Sequence, residues 1–241
     1  MKHQLNAYGQ PIGLDVPHWT PRPYPSGDTL QGRYCRLEHV DLVRHGDDLF
    51  AAYQAATDGR DWTYIPVGPF TDRALFAQHL QTIQASKDPL HYAVIDQQSG
   101  KALGTLSLMR IDPQNGVIEV GFVVYSPALK HTRIATEAQY LLMAYAFDTL
   151  GYRRYEWKCD ALNAPSRVAA ERLGFRFEGV FRNASIYKGR SRDTAWYSIT
   201  DAEWPAVRHA LCQWLDAANF DATGKQKQGL SLLMSQRDAS V

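Results

Sequence analysis

The stretch from residue 119 to residue 175 constrains the fold of this chain more than any other part. An apolar strand pattern leads through a basic loop into a helix pattern over about 133–149, and a second strand follows in which Tyr155, Trp157 and Cys159 alternate with charged residues. A strand, a helix and a strand in direct succession predict a parallel strand pair that flanks the helix. The helix amino terminus at the end of the first strand is suited to bind a phosphate group.

The rest of the chain reads as antiparallel hairpins and isolated helices. Predicted strands cover residues 32–38, 91–95, 102–111, 117–125, 155–159, 175–188 and 194–199. Predicted helices cover about 45–56, 71–86, 133–149, 166–173 and 204–215. The pattern therefore predicts an α+β fold with a mixed, mostly antiparallel twisted sheet that is flanked by helices.

Length and composition indicate one large domain. The chain has 241 residues, of which 45% are hydrophobic, enough for a sizeable core over about 31–220. Residues 1–30 are rich in Pro, Gly and aromatic residues, which predicts an extended arm on the domain surface. The polar composition from 221 to 241 predicts a mobile tail.

Charge and cysteine content exclude several classes of protein. The net charge is +1 without a cluster of basic and aromatic residues, so nucleic acid is not an expected ligand. Cys35, Cys159 and Cys212 are odd in number and lack a C-x-x-C spacing, which argues against a disulfide framework and a metal site and favours the cytoplasm. No apolar run approaches the roughly 18 residues of a membrane span, so no membrane partner is expected. Homodimer formation stays open.

Four short motifs together resemble the GCN5-related N-acetyltransferase (GNAT) superfamily. They are EVGFVVY at 119–125, IATEA at 134–138, Asn163-x-x-Ser166, and RLGF at 172–175. The chain is most similar to the ribosomal-protein amino-terminal acetyltransferases of the RimJ/RimL type and to their small-molecule relatives, over about 32–218. The resemblance implies a splayed parallel strand pair, acetyl-CoA as the acyl donor and an amine as the acceptor.

The resemblance also implies a pyrophosphate-binding loop at the start of the predicted helix. The matching residues are Lys130, His131, Thr132, Arg133, Ile134, Ala135 and Thr136. Arg133 stands where the family usually has glycine, so either the loop takes another path or the guanidinium contacts the phosphates directly. The alternative interpretation is a solvated helix start, but cations there oppose the helix dipole unless an anion is bound.

Three further positions match residues that hold the rest of the cofactor in the resembling family. The N–H groups of Val123 and Tyr125 would grip the pantetheine arm and polarise the thioester carbonyl. The Asn163 amide matches a residue that binds the same arm. A plain buried strand and a helix cap are the competing interpretations.

Two residues match catalytic positions. An alkylamine is protonated at neutral pH, and Glu119 matches the strand glutamate that acts as a base in parts of the family. Relatives often place a tyrosine proton donor four residues before the Gly174-Phe175 pair, where this chain has Ala170. Ser166 is therefore the expected donor. The alternatives are a solvent-facing Glu119 and a Ser166 that only caps its helix.

The acceptor region in the resembling family is lined by the loop before the second helix and by the last hairpin. In this chain those segments contribute the residues Trp62, Tyr64, Phe70, Arg182, Tyr187 and Tyr197. Aromatic rings with polar tips suit an amine through cation–π contacts and hydrogen bonds, whereas core packing is the alternative.

The leading hypothesis is direct transfer of acetyl from acetyl-CoA to a primary amine of a small molecule or a peptide amino terminus. No Cys/His or Ser/His pairing suggests a covalent intermediate. A degenerate module that only binds acyl-CoA or a partner, and a transferase that uses succinyl-CoA or another donor, remain alternatives. A P-loop or dinucleotide enzyme is disfavoured because both glycine motifs are absent.

Overall fold

A computed structural model describes residues 3–238. The strands are β1 Gln4–Leu5, β2 Pro11–Ile12, β3 Leu30–Gln31, β4 Cys35–His39, β5 Leu90–Asp96, β6 Ala102–Asp112, β7 Val117–Tyr125, β8 Arg154–Asp160, β9 Arg176–Tyr187 and β10 Arg190–Thr200. The helices are α1 Leu42–Gln54, α2 Arg73–Ala85, α3 Arg133–Ala144, α4 Ala164–Arg172, α5 Trp204–Leu215 and α6 Leu230–Asp238. A π-helical turn, Tyr145–Thr149, extends α3.

Eight strands form one sheet in the order β3-β4-β5-β6-β7-β8-β10-β9. Every neighbouring pair is antiparallel except β7 and β8, which are parallel and are connected through α3. Strands β1 and β2 form a separate small ribbon. The predicted α+β class, the mixed sheet and its single parallel pair are confirmed.

The two faces of the sheet carry two different cores. Because side chains alternate along a strand, Tyr92 and Val94 of β5 join the main core with α3, α5 and α6, whereas Ala93 and Ile95 pack beneath α1 and α2. On this second face α1 packs on β6 and α2 packs on β5. The main core is the larger of the two.

Short polar side chains set where the helices begin. The Asp41 carboxylate accepts the Arg44 N–H at 2.8 Å at the start of α1, and the Asp72 carboxylate accepts two N–H groups at the start of α2. Such caps satisfy amide groups that have no partner inside the helix. They place α1 at residue 42 rather than 45 and α2 at 73 rather than 71.

The two terminal segments differ from one another. The arm lies along the β6–β7 turn, where the Trp19 indole donates to the Gln114 carbonyl at 2.8 Å. The segment from 221 was expected to be a polar tail, and this is corrected for its second half. Leu230, Leu233 and Met234 of α6 are buried in the main core, because their spacing gives the helix one apolar face.

Candidate acetyl-transfer site

The parallel strands β7 and β8 separate halfway along β7. Their pairing runs from Val117 opposite Arg154 to Val120 opposite Trp157 and ends there. Phe122 lies in the left-handed region with φ of +47°, and the β6–β7 register shifts beside it. The resulting bulge turns the end of β7 away from β8.

The predicted positions Val123 and Tyr125 lie beyond this point of separation. On the far side β7 still pairs with β6, where Tyr125 is opposite Gly104. The Tyr125 hydroxyl accepts from the Gln139 side chain at 3.1 Å, which fixes the end of β7 against α3. A wedge-shaped opening between two strands is therefore held in place by buried contacts.

The amino terminus of α3 faces the end of β7. Thr132 caps it, because its hydroxyl accepts the Ala135 N–H at 3.2 Å and donates to the Leu129 carbonyl at 2.6 Å. His131 takes a positive φ of +60°, so the loop turns sharply just before the helix. The first turn retains amide groups without a partner inside the helix, as an anion-binding helix start requires.

The side chains of this loop are engaged by other parts of the protein. Lys130 forms an ion pair with Asp61 of the α1–α2 loop. The Arg133 guanidinium lies 4.8 Å from the centre of the Tyr34 ring and 4.6 Å from that of Phe220. The alternative of a simply solvated helix start is wrong for these two cations.

The remaining loop positions divide between exposed and buried. His131 is exposed, and Ile134 and Ala135 are half-buried against the main core. Thr136 is buried, and its hydroxyl accepts from Arg172 at 3.2 Å. The Thr136 side chain is therefore used inside the fold.

Asn163 and Ser166 lie beside the strand separation. Asn163 caps α4, since its side-chain oxygen accepts the Ser166 N–H at 3.2 Å. Ser166 is the third residue of the helix, so the alternative that Ser166 caps the helix is wrong. Its hydroxyl instead accepts from the indole N–H of Trp157 at 3.0 Å, at the last paired residue of β8. Ala170 is fully buried.

Glu119 is buried, with 4% of its surface exposed, so the solvent-facing alternative is wrong. Its Oε2 lies 3.0 Å from the Lys158 Nζ and 3.1 Å from the Arg110 Nε. Lys158 also pairs with Glu156 at 2.6 Å and lies over the Trp196 ring at 3.8 Å. Burial raises the pKa of Glu119, while Lys158 and Arg110 oppose the rise.

The α1–α2 loop reaches across to the far side of the opening. Buried Trp62 contacts the Tyr53 and Phe70 rings, each at 5.4 Å, and its carbonyl accepts from Lys188 at 2.8 Å. The Tyr64 hydroxyl donates to the Leu162 carbonyl at 3.2 Å. The predicted aromatic loop therefore bridges α1 and the β9–β10 hairpin.

The predicted acceptor residues of the β9–β10 hairpin do not all lie on the same face of the sheet. The Tyr187 hydroxyl donates to Asp160 at 2.8 Å near the loop, and Arg182 is exposed on β9. Tyr197 is fully buried in the main core, where its hydroxyl accepts from Arg167 at 3.1 Å. Its assignment to the acceptor region is corrected, because the alternation of β10 turns it to the opposite face from Trp196.

Several residues at this site were missed from the sequence. A pocket between α1, α2 and the strands β5, β6 and β7 is lined partly by His91, Thr105 and Phe122. Lys158 and Trp196 adjoin Glu119. The alternation of β8 was the available signal for Lys158, which lies on the polar side of that strand.

The arrangement combines a strand opening, a helix start and a buried carboxylate. A model of the acetyltransferase (GNAT) domain matches residues 39–176. The chain belongs to this family. It is an N-acetyltransferase, and the family uses acetyl-CoA as the donor.

Individual relatives agree with this assignment. A GCN5-related N-acetyltransferase from Brucella melitensis is 50% identical, with a TM-score of 0.89 over 91% of this chain and 100% of that one. "Uncharacterized N-acetyltransferase p20" of Bacillus licheniformis is 29% identical over 73% of this chain and 98% of its own length. "Putative ribosomal N-acetyltransferase YdaF" of Bacillus subtilis is 31% identical over 44% of this chain and 57% of its own length. The expected similarity to ribosomal-protein acetyltransferases is thereby confirmed.

Among residues 3–238, no helix is long and apolar enough to cross a membrane. Among the side chains of residues 3–236, no group of three or more His, Cys, Asp and Glu is arranged to hold a metal ion.

Proposed function

We propose that this acetyltransferase transfers acetyl from acetyl-CoA directly to the amine of an acceptor that enters from the face carrying Glu119. The observation that carries the proposal is the separation of β7 from β8 after Val120, beside the amino terminus of α3. An opening between strands exposes backbone groups for an extended ligand, and a helix start suits its phosphates. The two features lie next to each other along one chain segment.

The chain would hold the donor mainly through its backbone. The N–H groups of Val123 and Tyr125 stabilise the oxyanion that forms when the amine attacks the thioester. The first turn of α3, from Arg133 onward, binds the pyrophosphate. Arg133 is a large residue, but its side chain lies against Tyr34 and Phe220. It therefore does not cover this helix start.

Glu119 accepts the proton of the amine, directly or through a water molecule. Its carboxylate is buried, which favours proton uptake, and Lys158 keeps it charged until the proton arrives. These opposed effects suit a group that must be ionised at neutral pH and yet be basic.

Ser166 donates the proton to the departing thiolate and regains a proton from solvent. Its oxygen accepts a hydrogen bond from Trp157, so its hydroxyl hydrogen is shared between the neighbouring Cys159 sulfur and the thiolate. The same bond fixes the hydroxyl beside the point where β7 and β8 separate.

The acceptor is a small amine or a peptide amino terminus, and the similarity to YdaF, whose name describes a ribosomal N-acetyltransferase, favours the peptide. Trp62, Tyr64 and Phe70 supply the loop above it, and Tyr187 and Arg182 belong to the facing hairpin. We place the reaction in the cytoplasm, in keeping with three free cysteines.

Release of free thiol from acetyl-CoA in the presence of amines and short peptides tests the proposal. We expect release that depends on the acceptor and that falls strongly in Glu119→Gln while acetyl-CoA still binds. Micromolar binding without release for any acceptor would identify an acyl-CoA-binding module instead. Faster release from succinyl-CoA would change the donor and leave the transfer reaction in place.

A further inference from the structure

The Glu119 carboxylate has one oxygen between two cations and one that faces the strand opening. Its Oε2 lies 3.0 Å from the Lys158 Nζ and 3.1 Å from the Arg110 Nε. Its Oε1 lies on the side of Gly121, 3.9 Å from the position that a Cβ would occupy there. Gly121 is the first residue of β7 beyond its last pair with β8. The two oxygens of this carboxylate are therefore in different surroundings.

Strand alternation alone would not bring Arg110 to this carboxylate. Met109 is the cross-strand partner of Glu119, and a side chain at Gly121 would collide with the Met109 sulfur, so these three residues share one face of the sheet. Successive side chains of a strand point to opposite faces, and Arg110 follows Met109 directly. The guanidinium reaches Glu119 because β6 is bulged at this point. The register shifts between Met109 and Asp112, and Arg110 has a φ of +47°.

The Asp88 carboxylate holds this bulge in place. One of its oxygens accepts the Arg110 N–H at 2.8 Å, and the other accepts the Ile111 N–H at 3.1 Å. A left-handed φ is unfavourable for an arginine and persists only where the surroundings fix it. The bulge turns Ile111 towards the main core and Arg110 to the opposite face. Asp88 lies just before β5, so a segment next to β6 sets the shape of that strand.

The charged groups that face the Glu119 carboxylate come from both neighbouring strands. Arg110 belongs to β6, and Lys158 and Glu156 belong to β8. Burial raises the pKa of Glu119, the two cations lower it, and Glu156 adds a smaller rise. Lys158 is buried and shared with Glu156 at 2.6 Å, whereas 63% of the Arg110 side chain is exposed. Arg110 can therefore be replaced without opening the buried part of the network.

We propose that Arg110 is a positioning residue for Glu119, and that the bulge held by Asp88 brings it into place. Arg110 and Lys158 hold Oε2 from two sides, so Oε1 is presented to the acceptor amine beside the strand opening. The inference rests on the proposed role of Glu119 as the proton acceptor of the transfer reaction. Arg110 acts through this carboxylate, which it keeps ionised and correctly oriented, and not on the reacting atoms.

Replacement of Arg110 should move the pH dependence of the reaction. Without this cation the pKa of Glu119 rises, so in Arg110→Gln the acid limb of the kcat/KM profile should shift to higher pH. At neutral pH kcat/KM should fall by about two- to fivefold, as expected for a partly exposed ion pair, and it should recover at high pH. Arg110→Lys keeps the charge and should restore most of the profile. Arg73→Gln is the matched control, because Arg73 is also 63% exposed and pairs with Asp47 of α1.

Asp88→Ala distinguishes positioning from a simple effect of charge. Loss of a carboxylate would by charge alone favour the ionised form of Glu119 and shift the acid limb to lower pH. If Asp88 holds the bulge, Arg110 instead leaves Glu119, and the limb shifts to higher pH. Asp112→Asn is the control in the same hairpin, since Asp112 accepts the Asn115 N–H at 3.0 Å, and it should give no such shift. A shift to lower pH in Asp88→Ala, or an unchanged profile in Arg110→Gln, would overturn the proposal.

Direct titration of the Glu119 carboxyl carbon by NMR separates this inference from the proposed function, because it requires no turnover. The resonance is assigned by its loss in Glu119→Gln. A titration that moves to higher pH in both Arg110→Gln and Asp88→Ala, in a protein that acetylates no acceptor, would support the positioning and refute the transfer reaction. Acetylation that depends on Glu119, with a titration that neither variant moves, would refute the positioning and support the transfer reaction.

Discussion

The donor side and the acceptor side of the site are built in contrasting ways. The donor side comes from one continuous segment, β7 through α4, and is polar, with backbone amides and a capped helix start. The side under α1 and α2 is assembled from these helices, the loop between them and the strands β5, β6 and β7, and it is apolar except for buried neutral groups. A single cofactor can be recognised by local motifs, whereas an acceptor is selected by residues that are distant in sequence.

The largest expected effect concerns the acceptor side and the acid stability of the fold. The pKa of His91 is about 4 in the folded state and ordinarily about 6.5, so the unfolded chain binds more protons between these values. Stability therefore falls as pH falls from 6.5 to 4, by about 3 kcal/mol from this residue. Denaturant titrations across this range should show a much weaker pH dependence in His91→Phe.

His209→Phe is the matched control, because His209 is exposed on α5. It should retain the pH dependence of the unmodified protein. An equal acid sensitivity in the His91 and His209 variants would mean that other groups dominate, and that His91 is hydrated in solution.

Glu119 lies between the two sides, and Glu119→Gln should lower the turnover rate by about 10²-fold. The loss should be partly recovered at high pH, where the amine loses its proton without help. Affinity for acetyl-CoA should stay the same. The pH–rate profile checks this, and its acid limb in the unmodified enzyme should lie above the ordinary range for Glu, since burial raises the pKa of Glu119.

Glu156→Gln controls for the charge network. Glu156 contacts the same Lys158 at 2.6 Å but belongs to β8, so this variant should keep the recoverable pH profile. Equal losses in both variants would assign the effect to the network around Lys158 rather than to a base.

On the donor side, Ser166→Ala should reduce turnover by about 10²-fold while acetyl-CoA still binds. It also leaves the buried Trp157 indole without its acceptor, which costs about 1–3 kcal/mol of stability. Trp157→Phe removes the same hydrogen bond but keeps the serine hydroxyl. Comparable melting temperatures with a lower turnover only in Ser166→Ala would support proton donation, and equal turnover would assign Ser166 to structure.

The contrast between the two sides also explains what the sequence could predict. The order of elements, the parallel pair and the helix start at Thr132 follow from local patterns, and the structure confirms the fold. The bulge at Phe122 could not be predicted, because a positive φ at a phenylalanine has no local signal. From the sequence alone His91 belongs to an ordinary apolar strand. Its contact with the Phe122 ring follows from the bulge in β7.

The positions of Tyr197 and of the α1–α2 loop could not be predicted from the sequence either. The face on which Tyr197 lies depends on pairing with β8 and on a register shift between Trp196 and Tyr197. The loop position depends on contacts such as that from Tyr64 to Leu162, 98 residues away.

The smallest expected effect concerns the ion pair that connects the two sides. Asp61 of the acceptor loop holds Lys130 of the donor loop, and both side chains are partly exposed, at 23% and 35%. A phosphate group must share Lys130 with this carboxylate, so Asp61→Asn should raise affinity for acetyl-CoA by about two- to fivefold. Added salt should shrink the gain, because the interaction is screened. Calorimetry at low and high salt measures both effects, and Asp58→Asn, which removes a carboxylate that pairs with Arg60 in the same loop, should not change affinity. A weaker affinity in Asp61→Asn would show that the ion pair holds the loop in its binding position, and the two sides would then act as one unit.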